Sequence, residues 1–129
     1  MKTKKIKFNS QELTLLRYEE YWVFPVFRIY SDGLGSPIAM QLYCLEDNSL
    51  EFYGDVTVNL PDCQRSAGCQ FINTNKNKEG MLEWLEKHKF GERTGNSEKS
   101  GLCTYPEFNF YKGVNYWIYR NICEDIGWE

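Results

Sequence analysis

Leu50-Glu51-Phe52-Tyr53-Gly54-Asp55-Val56-Thr57-Val58-Asn59-Leu60 puts Leu50, Phe52, Gly54, Val56, Val58 and Leu60 on one side and Glu51, Tyr53, Asp55, Thr57 and Asn59 on the other. Side chains alternate across a strand, so this period of two predicts one strand with one buried face. Pro61-Asp62 ends it, and the turn Glu46-Asp47-Asn48-Ser49 joins it to a partner over Ile38–Leu45. Upstream, Lys4–Phe8 and Leu13–Tyr18 flank the polar Asn9-Ser10-Gln11-Glu12 and read as a hairpin. Tyr21–Tyr30 is aromatic and β-branched, but Pro25 has no N–H for a ladder, which favours an edge position or a bulge there. Asp32-Gly33 opens a glycine-rich turn before Pro37.

Downstream, Cys69–Asn73 is a short strand and Thr104–Tyr111 another. A helix is expected over about 78–89, with Asn75 or Asn77 as N-cap and Glu79 at the positive end of the dipole. Met81, Leu82, Leu85 and Trp84 form its apolar stripe, and Gly91 takes the left-handed position after its end. Val114–Cys123 fits a strand or a C-terminal helix equally. The expected class is α+β: one domain over 1–129, mainly an antiparallel sheet of about six to seven strands, with one helix packed on a face.

Composition agrees with a globular chain. In 129 residues 42% are apolar and 26% charged, which excludes collagenous and disordered classes. No stretch approaches the ~20 apolar residues of a membrane span. Net charge is −3, too close to neutral to imply a nucleic-acid partner. Cys44, Cys63, Cys69, Cys103 and Cys123 are odd in number and include no Cys-x-x-Cys pair, and His88 is the sole histidine. Neither a metal site nor any other cofactor is expected. The basic N-terminus has no apolar run behind it, being interrupted by Lys7, Asn9, Ser10, Gln11 and Glu12, so reduced thiols and a cytoplasmic location are expected.

Several motifs occur in one order: Tyr53-Gly-Asp-Val-Thr-Val-Asn-Leu-Pro61, Phe71-Ile-Asn-Thr-Asn75, Glu83-Trp-Leu-Glu86 and Ser100-Gly-Leu-Cys-Thr-Tyr-Pro106. With them the chain resembles, over about residues 36–112, a family of small uncharacterised bacterial proteins associated with conjugative and phage-like mobile elements. Similar proteins tend to carry Asp where this chain has Asn73, and Arg where Asn96 follows Thr94-Gly95. The segment Val114–Glu129 has no counterpart in that resemblance. It implies a setting rather than a reaction.

Gly91-Glu-Arg-Thr-Gly-Asn-Ser-Glu-Lys-Ser-Gly101 reads as a long polar loop. Its glycines would let backbone N–H groups converge on an anion, with Arg93 and Lys99 as cations and Thr94, Asn96, Ser97 and Ser100 as further polar groups. The bland alternative is a solvated connection in which Glu92 and Glu98 cancel those cations. Cys103 follows directly, and His88 is the only base available to activate it as a nucleophile. The alternative there is an inward cysteine and a histidine facing helix-end carbonyls.

Four Trp, nine Tyr and eight Phe make up 16% of the chain. They crowd into Tyr18–Tyr30, including Tyr21 and Trp22, and into Tyr105–Tyr119. Rings left outside the core suit a protein interface, being apolar with a polar handle. The expectation is therefore a non-enzymatic accessory protein that binds another protein, its identity unspecified, and by resemblance a mobile-element product acting against a host defence system. Two alternatives stand beside it. One is nucleic-acid binding through a basic N-terminal hairpin (Lys2, Lys4, Lys5, Lys7) and aromatic strand faces. The other is a cysteine-dependent enzyme at Cys103.

Overall fold

Asn9 and Ser10 both adopt positive φ, 50° and 68°, as do Asp47 and Asn48 at 47° and 70°. Two consecutive left-handed residues make the type I′ turn, whose twist matches the strands it joins. In the computed structural model, which describes residues 2–33, 35–75 and 78–128, these turns close β1 (Thr3–Phe8) on β2 (Gln11–Tyr18) and β4 (Ile38–Glu46) on β5 (Ser49–Asp55). With β3 (Tyr21–Ile29) they form an antiparallel five-stranded sheet in order β1-β2-β3-β4-β5. A second antiparallel sheet holds β6 (Thr57–Val58), β7 (Cys69–Ile72), β8 (Glu92–Ser100) and β9 (Cys103–Asn109) in order β6-β7-β9-β8. The class is α+β, but the single sheet expected from sequence is two sheets, and the one well-signalled helix is joined by a second in the segment that sequence left open.

The Leu50–Leu60 alternation does not describe one strand. Leu42 pairs with Gly54 and Tyr43 with Phe52, so Tyr53 is the extra residue of a bulge, and Phe52 ends 53% exposed. At Val56 the chain leaves the first sheet for the second. Val56 N–H donates to the Met40 carbonyl at 2.9 Å while Asn73 N–H donates to the Val56 carbonyl at 2.9 Å. The alternation survives numerically because β5 and β6 are both extended, although they face different neighbours. Buried polar side chains stitch this seam. Thr57 Oγ1 accepts the Met40 N–H at 3.0 Å and lies 2.8 Å from the Tyr30 hydroxyl, and Gln70 Nε2 donates to the Ile38 carbonyl at 3.0 Å. Each bond satisfies a group that would otherwise be costly to bury.

Pro25 lies in the central strand, not on an edge. β2 pairs only with Tyr21–Val23, so Pro25 sits where β3 has already lost its partner on that side. The freed stretch is covered by α2 (Val114–Asp125), whose Cys123 Sγ approaches the Pro25 carbonyl at 3.8 Å. The segment that sequence left open between strand and helix is therefore helical. Before it, Phe110–Lys112 form a 3₁₀ turn instead of continuing the strand, with Asn109 Oδ1 accepting the Tyr111 N–H at 3.0 Å.

The first helix, α1 (Met81–Lys87), is shorter than expected. Gly80 is its N-cap, and Asn75 turns back on itself, its N–H donating to Asn73 Oδ1 at 3.1 Å. The other expected cap, Asn77, lies outside the described residues. Lys89, not Gly91, takes the left-handed position after the helix, with φ 59°. Lys89 N–H donates to the Glu86 carbonyl at 3.1 Å and Phe90 N–H to the Leu85 carbonyl at 2.9 Å, the paired bonds of a Schellman motif. Gly91 answers a different demand, since a Cβ there would collide with the Asn109 carbonyl oxygen.

One core joins both sheets and both helices. It holds Leu13, Leu15, Val23, Phe24, Val26, Met40, Ile72, Leu85, Phe90, Phe108, Phe110 and Tyr119. Full burial of each such side chain is worth about 1.5–3 kcal/mol against leaving it in water. Among the described residues no helix is long and apolar enough to cross a membrane.

Candidate functional site

The segment expected to be a loop over 91–101 is the edge strand β8, exposed along its whole length. Nothing in Glu92–Ser100 is apolar and neither face is buried, so it carries no period of two. Its pairing with β9 supplies the order. Charged residues on an edge also discourage pairing with another chain. An extended strand does not converge its N–H groups into an anion nest. Arg93 Nε donates to Glu86 Oε1 at 3.1 Å and Arg93 Nη2 to the same oxygen at 2.7 Å, with Glu83 3.6 Å away. Those hydrogen bonds hold the Glu86 carboxyl below its ordinary range. Ser97, Lys99 and Ser100 lie exposed along the outer hairpin, opposite Pro106, Thr104 and Cys103.

Thr94 and Asn96 do converge, and on a carboxylate. The register slips between Arg93 and Ser97, and the resulting bulge turns both side chains onto Glu107 of β9. Thr94 Oγ1 donates to Glu107 Oε1 at 2.7 Å, Asn96 Nδ2 donates to the same oxygen at 3.3 Å, and Asn96 N–H donates to Thr94 Oγ1 at 3.1 Å. Glu107 is only 6% exposed. With Asn96 it lines a pocket of about 570 Å³ shared with Asp62, Cys63 and Arg65 from the chain between β6 and β7. Burial first, then Glu98 and Asp62, pushes the Cys63 thiol up. Burial and then Glu107 push Cys69 up to about 11, against Lys112 and Arg65.

Cys103 and His88 do not meet. His88 caps the C-terminus of α1 and Cys103 starts β9 at the far tip of the β8–β9 hairpin. At ~3.3 Å per residue, the length of β8 separates them by on the order of 25 Å. The His88 ring is buried against Trp84, centroids 4.6 Å apart, and burial lowers its pKa. Cys103 instead neighbours Tyr105 and raises its phenol pKa. Among the described residues no three of His, Cys, Asp and Glu come together as metal ligands.

Most rings that sequence left unassigned build the core. Tyr21 packs on Tyr53 at 5.0 Å and Trp22 lies beneath the Arg17 guanidinium at 4.9 Å, both half-buried. Phe8, from the lysine-bearing hairpin, stacks on Trp128 at 5.4 Å, and Trp128 stacks on Phe24 at 5.6 Å. That hairpin's lysines are exposed, with Lys5 3.6 Å from Glu12.

Ile29, Phe52 and Leu102 also stay exposed, but four exposed residues gather in one patch. In it, Tyr111 and Trp117 come from the Tyr105–Tyr119 cluster noted in sequence, and Val114 and Ile118 add an aliphatic part that sequence did not single out. Tyr111, Val114, Trp117 and Ile118 are between 38% and 55% exposed. Val114, Trp117 and Ile118 share one face of α2 at the i, i+3, i+4 spacing, and Trp117 Nε1 donates to the Tyr111 carbonyl at 3.1 Å, which fixes the two rings 4.9 Å apart. Arg120 lies 5.4 Å over the Trp117 ring. The signal was present in that spacing, and reading Val114–Cys123 as a helix would have exposed it.

The family described as Domain of unknown function (DUF4313) matches residues 27–125. The match takes in α2, beyond the span of the resemblance drawn from motifs. No curated protein and no solved structure matches the chain.

Proposed function

We propose that this chain, which belongs to the DUF4313 family, is a non-enzymatic module that binds another protein through the outer face of α2. The observation that carries this reading is the exposed set Tyr111, Val114, Trp117 and Ile118. A monomer gains nothing from displaying two large aromatics and two branched aliphatics side by side, whereas Trp and Tyr are the residues that dominate protein interfaces. The Trp117–Tyr111 hydrogen bond holds the rings in place before binding, so little ordering entropy remains to be lost. Resemblance adds the setting: an accessory product of a bacterial mobile element that acts against a host defence system. Five free thiols support a reducing cytoplasm as its location. Affinity capture from a bacterial lysate, with and without nuclease, tests the reading. It expects a stoichiometric protein that survives nuclease, and capture that depends on nucleic acid would replace it.

A further inference from the structure

We propose that the pocket of about 460 Å³ lined by Lys2, Arg17, Glu19, Trp84, Lys87 and His88 binds a phosphate group, free or as a monoester on a small molecule. This surface is separate from the outer face of α2, and the proposal stands or falls without it. His88 carries the demand for a ligand. It is 5% exposed, yet among the described residues no group hydrogen-bonds its imidazole ring. Its backbone N–H goes to the Trp84 carbonyl at 3.0 Å, and its backbone carbonyl accepts the Asn115 amide at 2.6 Å. The Trp84 ring beside it, centroids 4.6 Å apart, supplies packing and no hydrogen bond, because the indole N–H is committed to the Arg17 carbonyl. A polar ring withdrawn from water with neither nitrogen used is costly, and the pocket it lines is where a partner can reach it.

The charges around that ring select an anion. The chain as a whole is acidic, at −3, but this lining sets Lys2, Arg17 and Lys87 against the single carboxylate of Glu19. None of the three cations has an ion pair within 4 Å among the described residues. Arg17 lies over the Trp22 ring at 4.9 Å, and Glu19 accepts the Tyr53 hydroxyl at 3.4 Å. The end of α1 does not oppose an anion through bare carbonyls. Those of Leu85 and Glu86 take the N–H groups of Phe90 and Lys89, and that of His88 takes Asn115. Burial first, and then Lys87, lower the His88 pKa, so the neutral ring offers one N–H donor. Lysine ammonium groups bind phosphate as point charges, and donors arriving from separate elements suit tetrahedral oxygens better than a planar carboxylate.

The test is a titration of ¹⁵N-labelled protein with inorganic phosphate and, separately, with glycerol 3-phosphate. Acetate and chloride at matched ionic strength run in parallel. Saturable amide shifts at residues 17, 19, 87 and 88 are expected with one or both phosphates, and tighter binding of the ester assigns the site to a monoester. His88 is the sole histidine, so its ring-proton titration is unambiguous. Its midpoint should move up by about half a pH unit or more at saturating phosphate, because a nearby anion favours the protonated ring. His88→Gln should weaken binding roughly tenfold, and the exposed pair Lys2→Gln with Lys87→Gln by a similar factor. Absence of saturable shifts, an equal response to acetate or chloride, or a His88 midpoint that phosphate leaves unmoved would overturn the proposal. So would a folded His88→Gln variant that binds as well as the parent. If His88→Gln does not fold, unchanged affinity in the double lysine variant overturns it instead.

Discussion

Trp84 Nε1 donates to the carbonyl oxygen of Arg17 at 2.7 Å, tying α1 to the end of β2 across 67 residues of sequence. The same indole meets Tyr18 edge-on at 5.4 Å and stacks on Phe90 at 5.8 Å. Trp84→Phe keeps much of the ring contact but leaves the Arg17 carbonyl without that donor. A loss of about 1 kcal/mol is expected. Urea unfolding checks it, the midpoint falling while the slope stays constant.

Lys89 carries a side chain in a conformation that favours glycine, φ 59°, and that side chain is exposed. Lys89→Gly removes the Cβ penalty while both Schellman hydrogen bonds remain. A gain of about 0.5–1 kcal/mol in stability is expected, against the usual trend for helix-to-glycine changes. Thermal unfolding of the two proteins decides the sign. Gly113→Ala should do the opposite, because its Cβ would collide with the Phe90 backbone.

Tyr119 is buried and its hydroxyl donates to the Thr14 carbonyl at 2.8 Å, and burial pushes its pKa up to about 12. Tyr53 rises to about 12 as well, through burial and then Glu19. Unfolded tyrosine titrates near 10. Between about pH 10 and 12 the unfolded chain therefore gives up protons that the folded one keeps, and stability falls as pH rises. For Tyr119 the full loss is at most roughly 3 kcal/mol. Denaturation midpoints measured from pH 8 to 12 should stay level below about pH 10 and then drop, and Tyr119→Phe should drop less steeply.

The cysteines sort by burial. Cys44, Cys69 and Cys123 are buried, and burial raises the pKa of each. Cys63 and Cys103 are half-exposed. A thiol reagent near neutral pH should modify Cys103 and Cys63 first and reach the other three only on unfolding. With His88 at the other end of β8, Cys103 should react no faster than an ordinary free thiol. A much faster reaction would revive the enzyme reading.

Local rules carried far in this sequence wherever one turn or one face decided the structure. Asp47-Asn48 marked a hairpin, and Met81, Leu82 and Leu85 marked a helix. They failed where the deciding contact lay elsewhere in the chain. β8 is ordered by its pairing with β9 and by Arg93 on Glu86 of α1, and shows no apolar period. The break at Val56 depends on Met40 and Asn73, and no property of residues 50–60 announces it. Pro25 is tolerated in a central strand only because α2 replaces β2 beside it. At the candidate site, Thr94 and Asn96 read in sequence as polar groups for an anion. Glycine-rich polar sequence suggests an anion, but the bulge points both side chains at Glu107, thirteen and eleven residues away.

The claim that α2 presents a protein-binding face is tested most directly by quantitative affinity capture with wild-type and Ile118→Glu baits from one nuclease-treated lysate. Ile118 is 47% exposed, so a charge there leaves the core intact, and equal melting temperatures of the two baits establish that. The account predicts a stoichiometric protein on the wild-type bait, reduced at least tenfold on Ile118→Glu. Equal recovery on both baits, or no protein partner on either, would contradict it.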